Sequence, residues 1–244
     1  MKTQHICSGA HCAPYAVGGY FVNQCIIACE TLRTELLYVM QALEIKCDVF
    51  WIESGLHNTP KKLHDELQIM LDGITGYERV LLCFGACGNS LLDLRVGSYE
   101  LIMPRVDDCI TLFLGSTKAR RDADSQHAAY YMTEGWLYGV RNIWVEYNNC
   151  VDRYGKEQAK EIFEMQYKHY RTLALLDTGV GNISGLVCST KTIADTLGLK
   201  QIVLTAGTEY IAQLLLGPWS SDRFIKKKPQ SRIESSDFGV IAFS

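Results

Sequence analysis

A buried strand that ends in a glycine-rich loop is the feature that most constrains the fold of this chain. Residues 79–84 (RVLLCF) are almost all apolar, and the loop Gly85-Ala86-Cys87-Gly88-Asn89 follows them directly. A second short apolar run at residues 101–103 is followed by Asp108, which begins a predicted helix that ends at Gly115. Short apolar runs bounded by glycines are typical of strands inside an open α/β sheet, and such sheets keep their chemistry just beyond the strand ends.

The rest of the chain alternates between strand and helix patterns. Apolar residues repeat with the 3.6-residue period of a helix after Thr31 and again after Thr59-Pro60, an N-cap followed by a favoured first helical residue. Further strands are predicted at residues 24–28, 47–52, 129–132, 171–176 and 201–205, and further helices at 155–170, 184–197 and 209–216. This alternation predicts an α/β fold with mainly parallel sheets and helices on both faces.

The length of 244 residues and a gap around Asp152 favour two similar α/β lobes. We place the first lobe at residues 25–115, a bridging segment at 116–154 and the second lobe at 155–244. Residues 1–24 have no clear periodicity and are predicted to be an extension. That extension is either a flexible arm or a small metal clip formed by the histidines and cysteines at positions 5, 7, 11 and 12.

Composition excludes several classes of function. The formal charge of −3 does not indicate a basic surface that binds nucleic acid. We predict that the one basic run, residues 226–228, is a solvated loop. No apolar run approaches the roughly 18 residues of a membrane span, and the N-terminus lacks the pattern of a signal peptide. We therefore expect a cytoplasmic protein with no membrane partner.

Ten cysteines are many for a chain in a reducing compartment, where disulfides are rare. Metal binding, redox chemistry or an anaerobic way of life remain as explanations. The chain has no C-x-x-C motif, which argues against a zinc ribbon or a thioredoxin-type site.

Four residues with side chains that can bind a metal follow successive predicted strands in the first half of the chain: Cys29, His57, Cys87 and Cys109. Because parallel strands direct their carboxyl ends to one edge, these side chains are predicted to gather in one pocket. Thiolates and an imidazole are suitable ligands for zinc first, and for iron or another transition metal next. In the alternative interpretation Cys29 is a small buried hydrophobe and His57 only caps a helix.

Cys87 is the strongest of these candidates, and Cys109 lies in a second favourable position. Gly85 and Gly88 allow the backbone beside Cys87 to take conformations or approach ligands in ways that other residues forbid. Cys109 follows Asp108 at a predicted helix N-terminus, where the helix dipole stabilises a thiolate. Arg105 is predicted either to pair with a neighbouring aspartate at position 107 or 108 or to hold an anionic ligand.

A second glycine loop follows the strand predicted at residues 171–176. Asp177, Gly179 and Asn182 lie in this strand-to-helix loop, which is predicted to cradle a phosphate or a carboxylate. The loop is not a G-x-G-x-x-G motif, so it does not indicate a dinucleotide site. Together with Arg105 these three residues are the candidate cofactor-binding set.

Several segments resemble the family catalogued as domain of unknown function 1638: IIACETLRTEL, SGLHNTP, FGACGNS, PRVDDCITLFLGS, LDTGVGN and GPWSSDRF. The resemblance extends from about residue 25 to the C-terminus. It implies an α/β protein of anaerobic bacteria and archaea, often encoded near corrinoid proteins and their methyltransferases. The resemblance does not identify a reaction that the family catalyses.

Two functions follow as hypotheses. In the first, the chain is a zinc-dependent enzyme of corrinoid-linked methyl transfer that activates a substrate thiol. In the second, it is a non-catalytic accessory protein that binds a metal, a corrinoid or a partner protein. A redox role through a Cys87–Cys109 disulfide is a third hypothesis beside these two. The expected partner is a small-molecule substrate or a corrinoid protein. The sequence leaves homo-oligomerisation open.

Overall fold

The computed structural model describes residues 15–17 and 20–239. Within them the chain has an α/β fold with one mixed sheet, one parallel sheet and a short hairpin. The hairpin pairs β1 (Tyr15–Val17) with β2 (Tyr20–Val22). The histidines and cysteines of the predicted N-terminal metal clip, at positions 5 to 12, lie outside the described residues.

The larger sheet has five strands in the order β10-β6-β5-β3-β4. Its strands are β3 (Gln24–Cys29), β4 (Asp48–Ile52), β5 (Arg79–Cys83), β6 (Glu100–Pro104) and β10 (Phe224–Lys227). The first four are parallel, and only β10 runs antiparallel to its neighbour β6. Every residue of β3 is buried, as expected for a central strand that is covered on both faces.

The smaller sheet consists of three parallel strands in the order β7-β8-β9. They are β7 (Ala129–Met132), β8 (Thr172–Asp177) and β9 (Lys200–Thr205). The prediction of mainly parallel sheets flanked by helices is therefore confirmed.

The strands alternate with helices, as the apolar periodicity predicts. In chain order the helices are α1 (Arg33–Ala42), α2 (Pro60–Gly73), α3 (Cys109–Leu114), α4 (Thr117–His127), α5 (Glu134–Leu137), α6 (Ile143–Tyr154), α7 (Lys156–Gln166), α8 (Ile183–Leu197), α9 (Glu209–Leu216) and α10 (Ser235–Phe238). Two 3₁₀ helices, Glu30–Leu32 and Ser54–Asn58, directly follow β3 and β4.

Local sequence signals explain where two of these helices begin and end. In α2, Pro60 occupies the first position, and Leu63, Leu67 and Leu71 form a buried stripe with a four-residue spacing. In α3, the Asp108 side chain accepts a hydrogen bond from the backbone N–H of Thr111. The same helix ends at Gly115, whose φ of +80° is left-handed and favours glycine.

The structure corrects one sequence-based prediction and adds one helix that no sequence pattern indicated. The lysines at positions 226 and 227 do not lie in a solvated loop: they belong to β10, where Lys226 pairs with Ile102 and Lys227 binds the Asp237 carboxylate at 2.7 Å. The bridging segment contains α6, a helix that was not predicted from the sequence. The lobe boundaries themselves stay a prediction, although β7 of the bridge belongs to the smaller sheet and β10 to the larger one.

Within the described part of the chain, none of the helices has both the length and the apolar character that crossing a bilayer requires.

Candidate functional site

A cavity of about 200 Å³ opens at the carboxyl ends of the strands of the larger sheet. The chain passes from β3 to β4 on one side and then to β5 on the other, so the strand order reverses between β3 and β5. Open α/β sheets bind ligands at this kind of reversal. The residues that line the cavity are Cys29, Thr31, Glu53, His57, Leu63, Phe84, Cys87, Asp108, Cys109, Ile110 and Trp136. All four predicted metal ligands are among them.

The loop after β5 carries Cys87 and is fastened to the segment that precedes α3. The backbone N–H of Ala86 donates to the Val106 carbonyl at 2.9 Å, and that of Cys87 donates to the Asp107 carbonyl at 2.8 Å. Cys87 has a φ of +44°, a left-handed conformation that is uncommon outside glycine. The two hydrogen bonds hold this conformation and direct Cys87 toward Cys109.

Cys109 is the first residue of α3 and is buried. Its position is fixed by Asp108, which caps the helix through Oδ1 and pairs through Oδ2 with Arg120 at 3.3 Å.

The structure corrects one expectation for Arg105, because neither Asp107 nor Asp108 pairs with it. Asp107 instead accepts a hydrogen bond from the Thr117 hydroxyl at 3.3 Å.

Three thiols and one hydroxyl form a chain of contacts along the cavity wall. The Thr31 hydroxyl donates to the sulfur of Cys29 at 3.1 Å. Cys109 lies close enough to Cys29 and to Cys87 for the three thiols to shift one another's pKa values. Cys29 and Cys109 are about 5% and 6% exposed, whereas Cys87 is only half-buried, so the chain of thiols leads from the core toward solvent.

The two inner thiols are held in their protonated form, which corrects the expectation that the helix N-terminus stabilises a thiolate at Cys109. The hydrogen bond to Cys109, together with burial, raises the pKa of Cys29 well above its ordinary value. For Cys109 the hydrogen bond from Cys29 alone would lower the pKa, but donation to Cys87, burial and the charge of Cys87 outweigh it and raise the pKa. Burial raises the pKa of the nearby Cys83, a thiol of the core, to about 12.

His57 reaches the cavity from the 3₁₀ helix that follows β4. Burial lowers its pKa, and the backbone at Ser54 and the charge of Glu146 offset this effect only in part. Its ring packs against Trp136 with 5.3 Å between the ring centroids. A neutral imidazole is the form that binds metals or accepts a proton.

Three thiols and one imidazole line this cavity, and these are the groups that thiophilic metal ions bind. Two thiolates on one tetrahedral zinc ion lie about 3.8 Å apart, so the thiols would have to take up this spacing to share an ion. As the side chains stand, no group of three or more His, Cys, Asp or Glu residues within 15–17 and 20–239 is arranged to hold a metal. None of the eight cysteines in this part of the chain forms a disulfide.

The four predicted cofactor-binding residues lie elsewhere. Arg105 donates from its guanidinium to the Asp237 carbonyl near the end of the described chain. Asp177 and Asn182 line a separate small cavity, where Asp177 accepts a hydrogen bond from the backbone N–H of Gly179 at 3.2 Å. Asn182 caps α8 by accepting from the backbone N–H of Gly185 at 3.0 Å. Their role as a cofactor cradle stays a prediction.

Sequence reasoning missed several residues that line the two cavities. Trp136, in the short helix α5, comes from the predicted bridging segment, where no pattern singled it out. Glu35 and Glu134 line the cavity of Asp177. Glu35 did leave a signal, because a carboxylate at this position interrupts the buried apolar stripe of α1.

One comparison with known proteins gives a match. The family described as "Protein of unknown function (DUF1638)" matches residues 51–215, a range that includes His57, Cys87 and Cys109 but not Cys29. No curated protein and no solved structure is significantly similar to the chain.

Proposed function

The chain belongs to the DUF1638 family, and from the geometry of its cysteine cavity we propose that it binds one thiophilic transition-metal ion, zinc first and iron next. The proposed ligands are Cys29, His57, Cys87 and Cys109. The observation that carries the proposal is their convergence: four side chains from four successive strand ends line one cavity of about 200 Å³. Free thiols of this kind persist in the reducing cytoplasm, where we place the protein.

The electrostatic state of the ligands supports metal binding. His57 is held neutral by burial, so it needs to lose no proton before it coordinates an ion. Cys29 and Cys109 release their protons only when a cation replaces them, because both pKa values are raised. The site therefore exchanges protons for a metal ion.

Methyl transfer to a small thiol is the reaction that we propose for this site. A bound zinc ion supplies Lewis acidity, which stabilises a substrate thiolate at neutral pH. In this reaction the three cysteines hold the ion and His57, whose pKa is lowered, accepts the thiol proton instead of coordinating, so the fourth position stays open for the substrate. The thiolate sulfur then takes the methyl group from a methylated corrinoid, and the electron pair of the carbon–cobalt bond remains on cobalt.

The size of the cavity limits what enters it. A volume of about 200 Å³ lies below the roughly 300–1,000 Å³ of sites for drug-sized ligands. A small thiol fits, whereas a corrinoid would have to present its methyl group from outside the cavity. The corrinoid partner in this proposal is therefore bound to its own protein or docked at the cavity mouth.

Two other functions use the same residues. If all four side chains coordinate the ion, the site is closed and the protein is a metal-binding accessory protein, since catalytic zinc keeps an open position. The contact between Cys109 and the half-buried Cys87 favours a redox role as the second candidate. In that role an external disulfide would take two electrons and two protons from the pair and leave a Cys87–Cys109 disulfide.

Metal analysis of anaerobically purified protein tests the proposal. We expect about one equivalent of zinc or iron, lost in Cys87→Ser and in Cys109→Ser, since each change removes a ligand. Cys188→Ser is the matched control, because Cys188 is an exposed thiol on α8 away from the cavity. Full metal retention in a Cys87→Ala, Cys109→Ala double variant would contradict the proposal.

The reaction is tested separately on the metal-loaded protein. Methylated corrinoid and a panel of small thiols are added, and the cobalt absorption spectrum is followed. Loss of the methyl group that requires both a thiol and Cys87 supports the enzyme. Corrinoid binding without turnover supports the accessory protein, and formation of a Cys87–Cys109 disulfide when metal-free protein is treated with an external disulfide supports the redox pair.

A further inference from the structure

A buried carboxylate with one unused oxygen lies beside the second cavity. Glu35 on α1 is only 2% exposed. Its Oε1 accepts a hydrogen bond from the Thr178 hydroxyl at 3.2 Å, whereas its Oε2 is buried and has no hydrogen-bond partner among the described residues. Buried polar atoms are nearly always satisfied, so an unpartnered carboxylate oxygen points to a missing ligand.

The cavity beside Glu35 has the size of a single ion or water molecule. Its volume is about 10 Å³, close to the smallest space that holds one water. Oxygen-bearing side chains form its polar wall: Glu35, Glu134, Asp177, Thr178 and Asn182. These residues come from α1, from α5 and from the end of β8 with the loop that follows it, so the cavity lies where separate parts of the chain meet.

The carboxylate of Glu134 lies against the backbone of Gly181 in this loop. A Cβ on Gly181 would overlap Oε2 of Glu134, so a larger residue would displace the end of this flexible side chain. Gly181 also has a φ of +80°, which is a second reason for glycine at this position. The carboxylate of Glu134 therefore lies against the loop that carries Asp177 and Asn182.

Within the described part of the chain, no ion pair neutralises the carboxylates around the cavity. Three carboxylates line it, and none of the ion pairs among the described residues involves Glu35, Glu134 or Asp177. An anion would be repelled by this wall, and a thiophilic metal would find no sulfur or imidazole. Carboxylate, hydroxyl and amide oxygens are the ligands that hard divalent cations prefer.

We infer that this cavity binds one hard divalent cation of the Mg²⁺ and Ca²⁺ class through Glu35, Glu134 and oxygens of the Asp177–Asn182 loop. The carboxylates do not converge on a single point as they stand, so binding turns the half-buried Glu134 side chain toward Oε2 of Glu35. The cation joins the loop of the smaller sheet to α1 and α5. Because α5 also carries Trp136, the same cation steadies one wall of the cysteine cavity.

Thermal unfolding with added cations tests the inference. Full-length protein is treated with a chelator and then titrated with Mg²⁺, Ca²⁺ and Mn²⁺. We expect a saturable rise in the unfolding temperature with at least one of the three ions at about 1 mM or below, and a single equivalent by calorimetry. Glu35→Gln and Glu134→Gln should lose the effect, whereas the exposed Glu161→Gln, on α7, should keep it.

Two controls separate this site from the cysteine cavity and from a folding defect. A Cys87→Ser, Cys109→Ser background should leave the response to Mg²⁺ or Ca²⁺ unchanged, because these ions do not bind thiolates well. Glu134 is half-buried, so Glu134→Gln reports on the site even where Glu35→Gln fails to fold. A wild-type protein that gains no stability from any of the three ions overturns the inference, as does a Glu134→Gln variant that responds like wild type.

Discussion

The backbone of Gly85 lies directly against the backbone of Asp108. A Cβ built on Gly85 would be 2.5 Å from both the Cα and the carbonyl carbon of Asp108, far inside van der Waals contact. This close approach allows the backbone hydrogen bonds that join Ala86 and Cys87 to residues 106 and 107. Glycine at position 85 is therefore what brings Cys87 next to Cys109.

Gly85→Ala should separate these two cysteines. The added methyl group meets backbone atoms, which cannot move aside as a flexible side chain would, so we expect a loss of about 1–3 kcal/mol of unfolding free energy. Metal binding should weaken as well, because Cys87 moves away from its co-ligands. Denaturant unfolding and zinc titration measure the two effects. Gly73→Ala is the control: nothing lies within 4 Å of its Cβ, and alanine should be neutral or slightly stabilising.

A second prediction concerns the cap that positions Cys109. Asp108→Ala removes the hydrogen bond to the Thr111 N–H and should cost about 1 kcal/mol. Asp108→Asn keeps a good N-cap but loses the negative charge that faces Arg120, so it should cost less. If chemical denaturation finds the two variants equally unstable, the ion pair and not the cap is the main contribution of Asp108.

The gathering of Cys29, His57, Cys87 and Cys109 could be predicted from sequence because it depends only on the order of strands and helices. Each of these residues follows a strand, and parallel strands end at one edge. The cap and the left-handed end of α3 were also predictable, since Asp108 and Gly115 act on their nearest neighbours. These features are local, and the residues themselves encode them.

Long-range pairing could not be predicted in the same way. The strand β10 forms because β6 offers it an open edge, and the lysine-rich sequence of residues 226–228 gives no hint of this. Trp136 enters the cysteine cavity because Gly135 packs closely on the Thr31 carbonyl, a contact between distant parts of the chain. The distribution of strands between two sheets likewise depends on partners that local periodicity does not name.

A third prediction is that zinc binding releases protons. Cys29 and Cys109 have raised pKa values and are protonated at neutral pH, so coordination must displace about one proton from each. The apparent affinity for zinc should therefore increase with pH between pH 6 and 8. Calorimetric titration in buffers with different ionisation enthalpies counts the released protons. Zinc binding without proton release would show that the ion is not held by these thiols.

The last prediction concerns the pH dependence of stability that Glu35 imposes. Burial raises the pKa of Glu35, despite hydrogen bonds from its own backbone and from Thr178, and the charge of Glu134 adds to this rise. The pKa of Glu35 is higher in the folded state than in the unfolded state. The contribution of Glu35 to the free energy of unfolding is therefore complete at pH values below the unfolded pKa of 4.5. That contribution is lost as the pH rises through the folded value, and it amounts to about 1.4 kcal/mol for each pH unit by which the folded and unfolded pKa values differ.

Glu35→Gln should remove this loss, because glutamine stays neutral at every pH. In the presence of a chelator, the variant should gain stability relative to wild type as the pH is raised from 5 to 8, whereas the exposed Glu161→Gln should follow wild type throughout. Urea unfolding at several pH values measures the difference. Parallel stability curves for wild type and Glu35→Gln would mean that Glu35 is ionised at no cost in the folded protein. Neither its burial nor its neighbour Glu134 would then impose an energetic penalty.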